Sequence, residues 1–496
     1  MSIKRYYATQ DNTITNAYKS NLSTRGVSGN MGQSDILEVF SIYAQVSSST
    51  GLSSELSRIL LQYDTSAIST DRTNSVIPAS GSVNFFLKLY DAEHTQTTPK
   101  DYKLVVSAVS QSWEEGLGLD MEDYTDADAS NWLTASGVTK WVDDNDNVQT
   151  GGSYKTGSAS KVTEYLFTQD FDTGFENLEI DVSHLVEDWM AGTVDNYGFG
   201  VRLTSSLEST TDSYYTKMFF ARGSQYFFKR PVLEARWDNS KKDNRGNFSL
   251  SSSLVPASDN LMKLYLYNIV RGNLTNIPAV GTDDLRVSIY SGSQAGAPAG
   301  SKLFSPIGGG VVATGDTNIT ASWVETGIYS ASFAYVSSSV TKIFDVWHSG
   351  SVEYHTGSSI TVNTYDSLDY NLDQKYVSKV TNLRDIYSSN ETARFRLYVR
   401  QKDWSPTIYT VSSTNIETST VEDVYYKIAR LSDDLAVVPF GTGSLNHTRL
   451  SYDTSGSYFD LKMNILDTDT AYALSFAYVI NGSYVEQPET FRFRVE

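Results

Sequence analysis

The chain has 496 residues, no cysteine and a formal net charge of −19 at pH 7. This length exceeds what one compact core holds, so two to four domains are expected. The lack of cysteine excludes disulfides and thiolate chemistry, and the negative charge argues against sequence-independent nucleic-acid binding. No apolar run approaches the ~18 residues of a membrane span, and no signal peptide is recognisable. We therefore expect cytosolic folding without membrane insertion.

Strand patterns dominate the first 238 residues, separated by clusters of Ser, Thr, Gly, Asn and Asp, as in a β-sandwich. The predicted strands include 36–46, 58–63, 83–90 and 104–110. The strongest helix prediction is 182–190, with Asp181 as N-cap and Gly192 just past its end. The run MFFARGSQYFFKRPVLEARW at 218–237 predicts two closing strands. The 33 tyrosines and 21 phenylalanines suit half-buried pleated surfaces.

Residues 111–152 interrupt the strand pattern with ten carboxylates against Lys140 alone. Trp113, Trp132 and Trp141 lie between these acids. Because a disordered acidic segment rarely carries large apolar rings, we interpret it as an ordered insertion across one sandwich face. The three indoles are the candidate glycan-binding residues, and core or loop-pinning roles are the alternative for each.

Two further blocks of alternating strands follow a polar segment. The expected domains are 1–238, a linker at 239–260, and immunoglobulin-like β-sandwiches at 261–365 and 366–496. Asn-Gly-Ser at 481–483 predicts a tight hairpin turn in the last of these. The loop at 400–409 carries Trp404 and Tyr409 at an aromatic tip, which suits an inter-subunit contact, with a sugar-binding surface as the alternative.

Catalytic motifs are absent from the sequence, which has no P-loop, H-E-x-x-H or G-x-S-x-G. Glu114 and Glu115 suit a glycosidase pair, but so acidic a segment is equally a solvated face. Asp143, Asp144 and Asp146 offer oxygen ligands to Ca²⁺, although their run lacks the glycine and final glutamate of an EF-hand loop. We expect no enzyme and no cofactor, with a structural Ca²⁺ at this run as the alternative.

Motifs in the first 238 residues occur in the order of a known module. The matching positions are 11–14, 30–32, Arg58, Leu60, Leu61, Tyr63, Asp64, Val109, Trp113, Glu115, 184–189, 198–203, 220–222, Arg230, Pro231 and Leu233. This region resembles a DNRLRE-type module, a jelly-roll-like sandwich similar to carbohydrate-binding modules. The chain departs from that pattern at Gly223, where an acidic residue is usual.

Phrases in the remainder, including ARFRLYVRQKDWSPTIYTV and EQPETFRFRVE, resemble structural proteins of tailed phages, particularly marine ones of the T4-like type. The resemblance implies a non-enzymatic virion component, assembled in the host cytoplasm, that binds other virion proteins and further copies of itself. Neck or collar, tail or baseplate, and capsid exterior are all open as positions. The alternative is an adhesive module that binds a host-surface glycan.

Overall fold

A computed structural model describes residues 2–49, 51–95, 97–143, 145–157, 161, 163–292, 298, 318–335, 340–364, 374–405, 407–408 and 418–496. In these residues strands and loops prevail over helices, so the predicted all-β, multi-domain fold is confirmed. The chain divides into an N-terminal unit, Ser2–Asp238 with Ile465–Asp467, and a C-terminal unit, Asn239–Asn464 with Thr468–Glu496. Of the helices described, none has the length and apolar character needed to cross a membrane.

The N-terminal unit contains two large antiparallel sheets and a separate two-stranded one, in which residues 134–136 pair with residues 139–140. Its strands are β1 (Ile3–Tyr7), β2 (Gln10–Thr15), β3 (Ile36–Ser48), β4 (Gly51–Gln62), β5 (Asn84–Leu89), β6 (Tyr102–Val109), β7 (Thr134–Ser136), β8 (Thr139–Lys140), β9 (Tyr154–Lys155), β10 (Phe167–Phe171), β11 (Leu178–Asp181), β12 (Phe199–Leu203), β13 (Tyr214–Phe220) and β14 (Val232–Arg236). The smaller sheet has the order β1-β14-β5-β11. The larger has the order β10-β6-β12-β4-β3-β13, with β2 beside β4 and β9 beside β6. The four strands predicted from the sequence correspond to β3, β4, β5 and β6.

The two sheets form a β-sandwich because alternate residues of each strand point into a shared apolar core. Leu61 of β4 enters it from one side, and Phe85 and Leu87 of β5 enter it from the other, all fully buried. The ring of Trp189 lies 4.7 Å from that of Phe199 and extends this core. Burial of apolar surface, at about 25 cal/mol per Å², is the main stabilising contribution.

Three short helices complete the N-terminal unit: α1 (Thr65–Thr73), α2 (Ser183–Ala191) and α3 (Ser205–Glu208), with a 3-10 turn at Phe227–Lys229. The predicted helix at 182–190 is α2. Its capping differs by one residue, since Val182 occupies the N-cap position while the Asp181 carboxylate accepts the Ser183 N–H at 2.9 Å. Gly192 ends the helix with a φ of 72°, which only glycine adopts without cost.

The C-terminal unit is also built from strands. They are β15 (Met262–Tyr267), β16 (Ile269–Val270), β17 (Asn273–Leu274), β18 (Leu285–Ser291), β19 (Asn318–Glu325), β20 (Ile328–Phe333), β21 (Lys342–Ser349), β22 (Val352–Thr356), β23 (Ile360–Thr361), β24 (Tyr376–Val380), β25 (Ile386–Tyr387), β26 (Thr392–Gln401), β27 (Val424–Arg430), β28 (Ala436–Val438), β29 (Ser451–Asp453), β30 (Gly456–Lys462), β31 (Thr470–Ile480) and β32 (Ser483–Val495). The sheet orders are β15-β20-β19-β18-β21-β22 with β23 beside β21, β24-β26-β30-β29, and β25-β32-β31-β27-β28, and β16 pairs β17. The predicted turn joins β31 to β32, where Asn481 and Gly482 both have positive φ, as a tight hairpin requires.

Residues 239–260, predicted as a linker, are packed against the sheets of the C-terminal unit. They contain 3-10 turns at Asn244–Gly246 and Ala257–Asn260. Phe248 is fully buried, with its ring 5.3 Å from that of Phe333. Arg245 donates two hydrogen bonds to Asp345, at 2.6 and 2.7 Å. This segment therefore contributes to the core of the unit.

Candidate functional site

Three charged residues from distant parts of the N-terminal unit meet beside β2. Arg222 donates from Nε and Nη2 to both carboxylate oxygens of Glu115, at 2.7 to 3.0 Å. The backbone N–H of Arg222 donates to Oδ2 of Asp11 at 2.5 Å. The backbone N–H of Asp11 in turn donates to Oε1 of Glu115 at 2.8 Å. Such charge-assisted, two-pronged contacts are strong and fix geometry, so they join three segments rigidly.

Two buried asparagines extend this network. Nδ2 of Asn30 donates to the carbonyls of Glu115 and Ser130, at 2.7 and 2.8 Å, while its Oδ1 accepts the Gly118 N–H at 3.0 Å. Nδ2 of Asn12 also donates to Ser130, to its carbonyl and its hydroxyl. Because buried amides are costly to leave unpaired, these contacts tie the turn around Asn30 to the residues that follow Glu115.

The electrostatics of the network centre on Asp11. Its side chain is buried, and the loss of hydration raises the pKa of Asp11 to about 7, with the nearby Glu115 carboxylate acting in the same direction. The Arg222 N–H opposes this by stabilising the charged form. The network therefore consists of the fixed ion pair of Arg222 with Glu115 and of the Asp11 carboxyl group, which contacts that pair and titrates near neutral pH.

Two surface segments start from this network, and both are attached to the turn at residues 30–35. The first, the acidic loop (residues 116–128), is held by the Gln33 N–H, which donates to the Gly118 carbonyl at 2.9 Å. The second, the aromatic segment (residues 223–230), follows Ala221, whose N–H donates to the Asp35 carbonyl at 2.9 Å. Gly118 lies so close that a Cβ there would be 2.0 Å from the Asn30 carbonyl oxygen. We call the two segments together the assembly face.

The acidic loop exposes apolar side chains in a fixed conformation. Leu117, Leu119 and Tyr124 are 78%, 50% and 66% exposed. Oδ1 of Asp120 accepts three consecutive backbone N–H groups, the last from Tyr124 at 3.1 Å, and these bonds hold the pKa of Asp120 below its usual value. The Leu117 N–H donates to Asp126 at 2.9 Å. The loop therefore presents its apolar tips without the entropy cost of ordering a flexible chain.

The aromatic segment exposes two rings that other rings support. Tyr226 and Phe227 are 50% and 42% exposed. The ring of Tyr226 meets that of Phe220 edge-on at 5.4 Å, and the ring of Phe227 lies 4.6 Å from that of Tyr7. Large exposed rings in a rigid setting are typical of binding surfaces.

Two cations accompany these rings. Nζ of Lys229 lies 5.0 Å from the ring centre of Phe220 and 5.9 Å from that of Tyr226. The Arg230 guanidinium lies 5.5 Å from the ring of Phe227, and its Nε donates to the Ser224 carbonyl at 2.7 Å. At these distances the negatively polarised face of an aromatic ring attracts a cation. Within the described residues, neither cation forms an ion pair with a carboxylate.

The three predicted tryptophans lie elsewhere and are buried. Trp113 and Trp132 are each 6% exposed and Trp141 is fully buried, in one cluster with Leu60 and Val109. The prediction of an insertion pinned across a sandwich face is confirmed. The glycan platform assigned to these rings is wrong, because buried indole faces cannot stack on a sugar.

The aspartates predicted as Ca²⁺ ligands lie in a loop that Asp143 stabilises by hydrogen bonds. The carboxylate of Asp143 accepts the N–H groups of Asn145 and Asn147, both at 2.9 Å, and the Gln149 amide at 3.1 Å. These bonds lower the pKa of Asp143. Asp146 is exposed, and Asp144 lies outside the described residues. No group of three or more His, Asp or Glu arranged for a metal ion occurs in the part of the chain that the structure describes.

Of the predicted contact residues, Trp404 is half-buried and Tyr409 lies outside the described residues. Sequence reasoning missed Tyr226, Phe227 and Lys229, because it assigned their segment to strands. A signal was present: three successive aromatic residues cannot all point into one core from a strand, since neighbours face opposite sides.

Comparisons with known proteins give no further information about the fold or the function. No protein-family model matches the chain, and no curated protein matches it significantly. Similar solved structures are E. coli alpha-2-macroglobulin (TM-score 0.15, 9% identity, 98% of this chain and 28% of that chain), the FN1–FN3 domains of chicken CNTN1 (0.15, 10%, 66% and 82%) and a Salmonella alpha-2-macroglobulin mutant (0.14, 8%, 100% and 26%). The chain spans about a quarter of the length of both macroglobulins. Likenesses with such TM-scores carry no argument about fold or function.

Proposed function

We propose that the protein is a non-enzymatic structural component of a tailed-phage virion and acts by docking onto neighbouring subunits. The observation that carries this proposal is the assembly face. Its exposed rings and Arg230 are residue types that are enriched in protein interfaces, and its carboxylates and Lys229 suit the polar rim of such an interface. The virion as the site of action is inferred from the resemblance of the sequence to structural proteins of tailed phages.

The rigidity of the face favours assembly over transient contact. The ion pair of Arg222 with Glu115 and the buried amide of Asn30 hold both segments in place. A preformed surface loses little conformational entropy when it binds. In a symmetric particle the same contact is repeated for every copy, so a modest affinity at one interface is enough to build the whole.

The experiment is to determine the composition of purified particles of the phage that encodes the chain. We expect mass spectrometry to find the protein at a fixed stoichiometry, and electron cryomicroscopy to locate it on a symmetry axis or ring. A protein that is absent from particles, yet abundant in the infected cell, would overturn the proposal.

The second candidate function is recognition of a host-surface glycan, and one observation favours it. Tyr226 and Phe227 expose their rings next to Lys229 and Arg230, a combination that suits a sugar with an acidic group. A glycan array distinguishes the two functions. Adhesion predicts binding that Tyr226→Ser abolishes, whereas a purely structural subunit binds no glycan.

A further inference from the structure

We infer that the assembly face pairs with the same face of a second copy of this chain. In this pairing the acidic loop of each copy lies on the aromatic segment of the other. The inference rests on the proposed function, because it names one of the subunits to which the face docks.

Charge complementarity is the first argument. Lys229 and Arg230 carry uncompensated positive charge on a chain whose net charge is −19. The acidic loop carries exposed carboxylates at Asp123 and Asp128, and no ion pair occupies any of these four side chains within the described ranges. The chain therefore supplies both halves of a complementary charge pattern, which favours a specific mutual orientation.

Apolar complementarity is the second argument, and it selects a protein surface over a polyanion. Leu117, Leu119 and Tyr124 stand exposed between the carboxylates of the loop. They match the exposed rings of Tyr226 and Phe227. A sulfated or phosphorylated polymer would satisfy the two cations but would leave these apolar side chains in water.

The placement of the two segments is the third argument, and it is compatible with a two-fold symmetric contact. Both are attached to the turn at residues 30–35, and the ion pair of Glu115 with Arg222 joins their starting points. The two complementary surfaces are therefore neighbours on one copy. In a two-fold symmetric contact residue i meets residue j while j meets i, so neighbouring complementary surfaces can both be satisfied in one dimer.

The test is sedimentation equilibrium of the full chain at about 1 to 100 µM, with salt varied. We expect a dimer whose dissociation constant rises with NaCl, because exposed charges are screened. Lys229→Glu and Asp123→Lys should each weaken it by about tenfold or more. The double variant should recover to within about threefold of wild type, since it exchanges the two charges across the interface. Lys100→Glu, the same charge change on an exposed lysine of another loop, is the matched control.

A chain that stays monomeric at about 100 µM, a dimer that Lys229→Glu leaves unchanged, or a double variant as weak as the single variants would each overturn the inference. Thermal unfolding of every variant checks that the fold is retained. The particle experiment separates this failure from that of the proposed function. A monomeric chain that is present in particles overturns the pairing alone, and a chain absent from particles overturns the structural role.

Discussion

Arg222 and Glu115 lie 107 positions apart in the sequence and form a two-pronged ion pair, with donor to acceptor distances of 2.7 to 3.0 Å. The pair fastens the aromatic segment to the acidic loop. Asp11 completes it by accepting the Arg222 N–H. The conformation of the assembly face therefore depends on this contact.

Removal of the guanidinium should destabilise the N-terminal unit. In Arg222→Ala the largely buried Glu115 carboxylate loses its counter-charge, and we expect a loss of about 2–4 kcal/mol in the free energy of unfolding. Urea unfolding followed by tryptophan fluorescence measures it. Arg394→Ala, which removes a two-pronged pair with Asp460 that is much more exposed, is the control and should cost below about 1 kcal/mol. Equal losses would show that the network has no special role.

The stability of the N-terminal unit should depend on the titration of Asp11. Its pKa is about 7 in the folded state, against 3.8 for the ordinary group. Between these values the folded state keeps a proton that the unfolded state has lost, so Asp11 makes the unit less stable as pH rises from about 4 to 7. Asp11→Asn removes this contribution. The difference in free energy of unfolding between variant and wild type should grow over that pH range, by up to about 1.4 kcal/mol per pH unit, and two parallel pH curves would contradict this.

A second buried network predicts a large effect in the smaller sheet. Glu234 is fully buried, and it accepts from Arg5 and Arg236, each at 2.7 Å. These two cations and Lys88 hold the pKa of Glu234 far below its usual value, against the effect of burial. Glu234→Gln removes one of the two carboxylates, Glu234 and Glu179, that balance these three cations, and it should cost about 3–5 kcal/mol. Glu179→Gln, in a partly exposed carboxylate of the same network, should cost clearly less in the same unfolding assay.

Gly200 and Gly223 should differ in how well they tolerate an added methyl group. A Cβ on Gly200 would lie 2.0 Å from Cε1 of Tyr154, whose ring covers that backbone, whereas the nearest atom to a Cβ on Gly223 is 3.5 Å away. Gly200→Ala should cost about 1–3 kcal/mol through overpacking, and Gly223→Ala should be within about 0.5 kcal/mol of wild type. Differential scanning calorimetry ranks the two. A neutral Gly200→Ala would show that the Tyr154 ring moves freely.

The sequence predicted those elements whose stability depends on residues close together in the chain. Helix α2 has apolar residues on one face and a glycine at its end, and both are visible in the sequence. Helix α1 buries only Ile68 and shows no apolar periodicity. Its stability comes from the Asp64 cap and from the Arg72 ion pair with Glu187 on α2, and long-range contacts of this kind leave no local pattern.

The site was only partly accessible from the sequence for the same reason. The resemblance to a DNRLRE-type module singled out Asp11, Asn30, Glu115 and Arg222, but not the fact that they form one network. The sequence left both a glycan-binding and a core or loop-pinning role open for the tryptophans, because the path of the insertion over the sheet is set by tertiary packing. Exposure of Leu117 likewise follows from where Asn30 anchors the loop.

The central claim is that the assembly face attaches the protein to a particle. Its most direct test is the amount of protein in purified particles for a chain carrying Leu117→Ser and Tyr124→Ser, compared with Val138→Ser. Val138 is 95% exposed and lies outside the face. We predict that the double variant folds normally but is depleted in particles by about tenfold or more, while Val138→Ser is incorporated at the wild-type level. Equal incorporation of both variants would contradict the account.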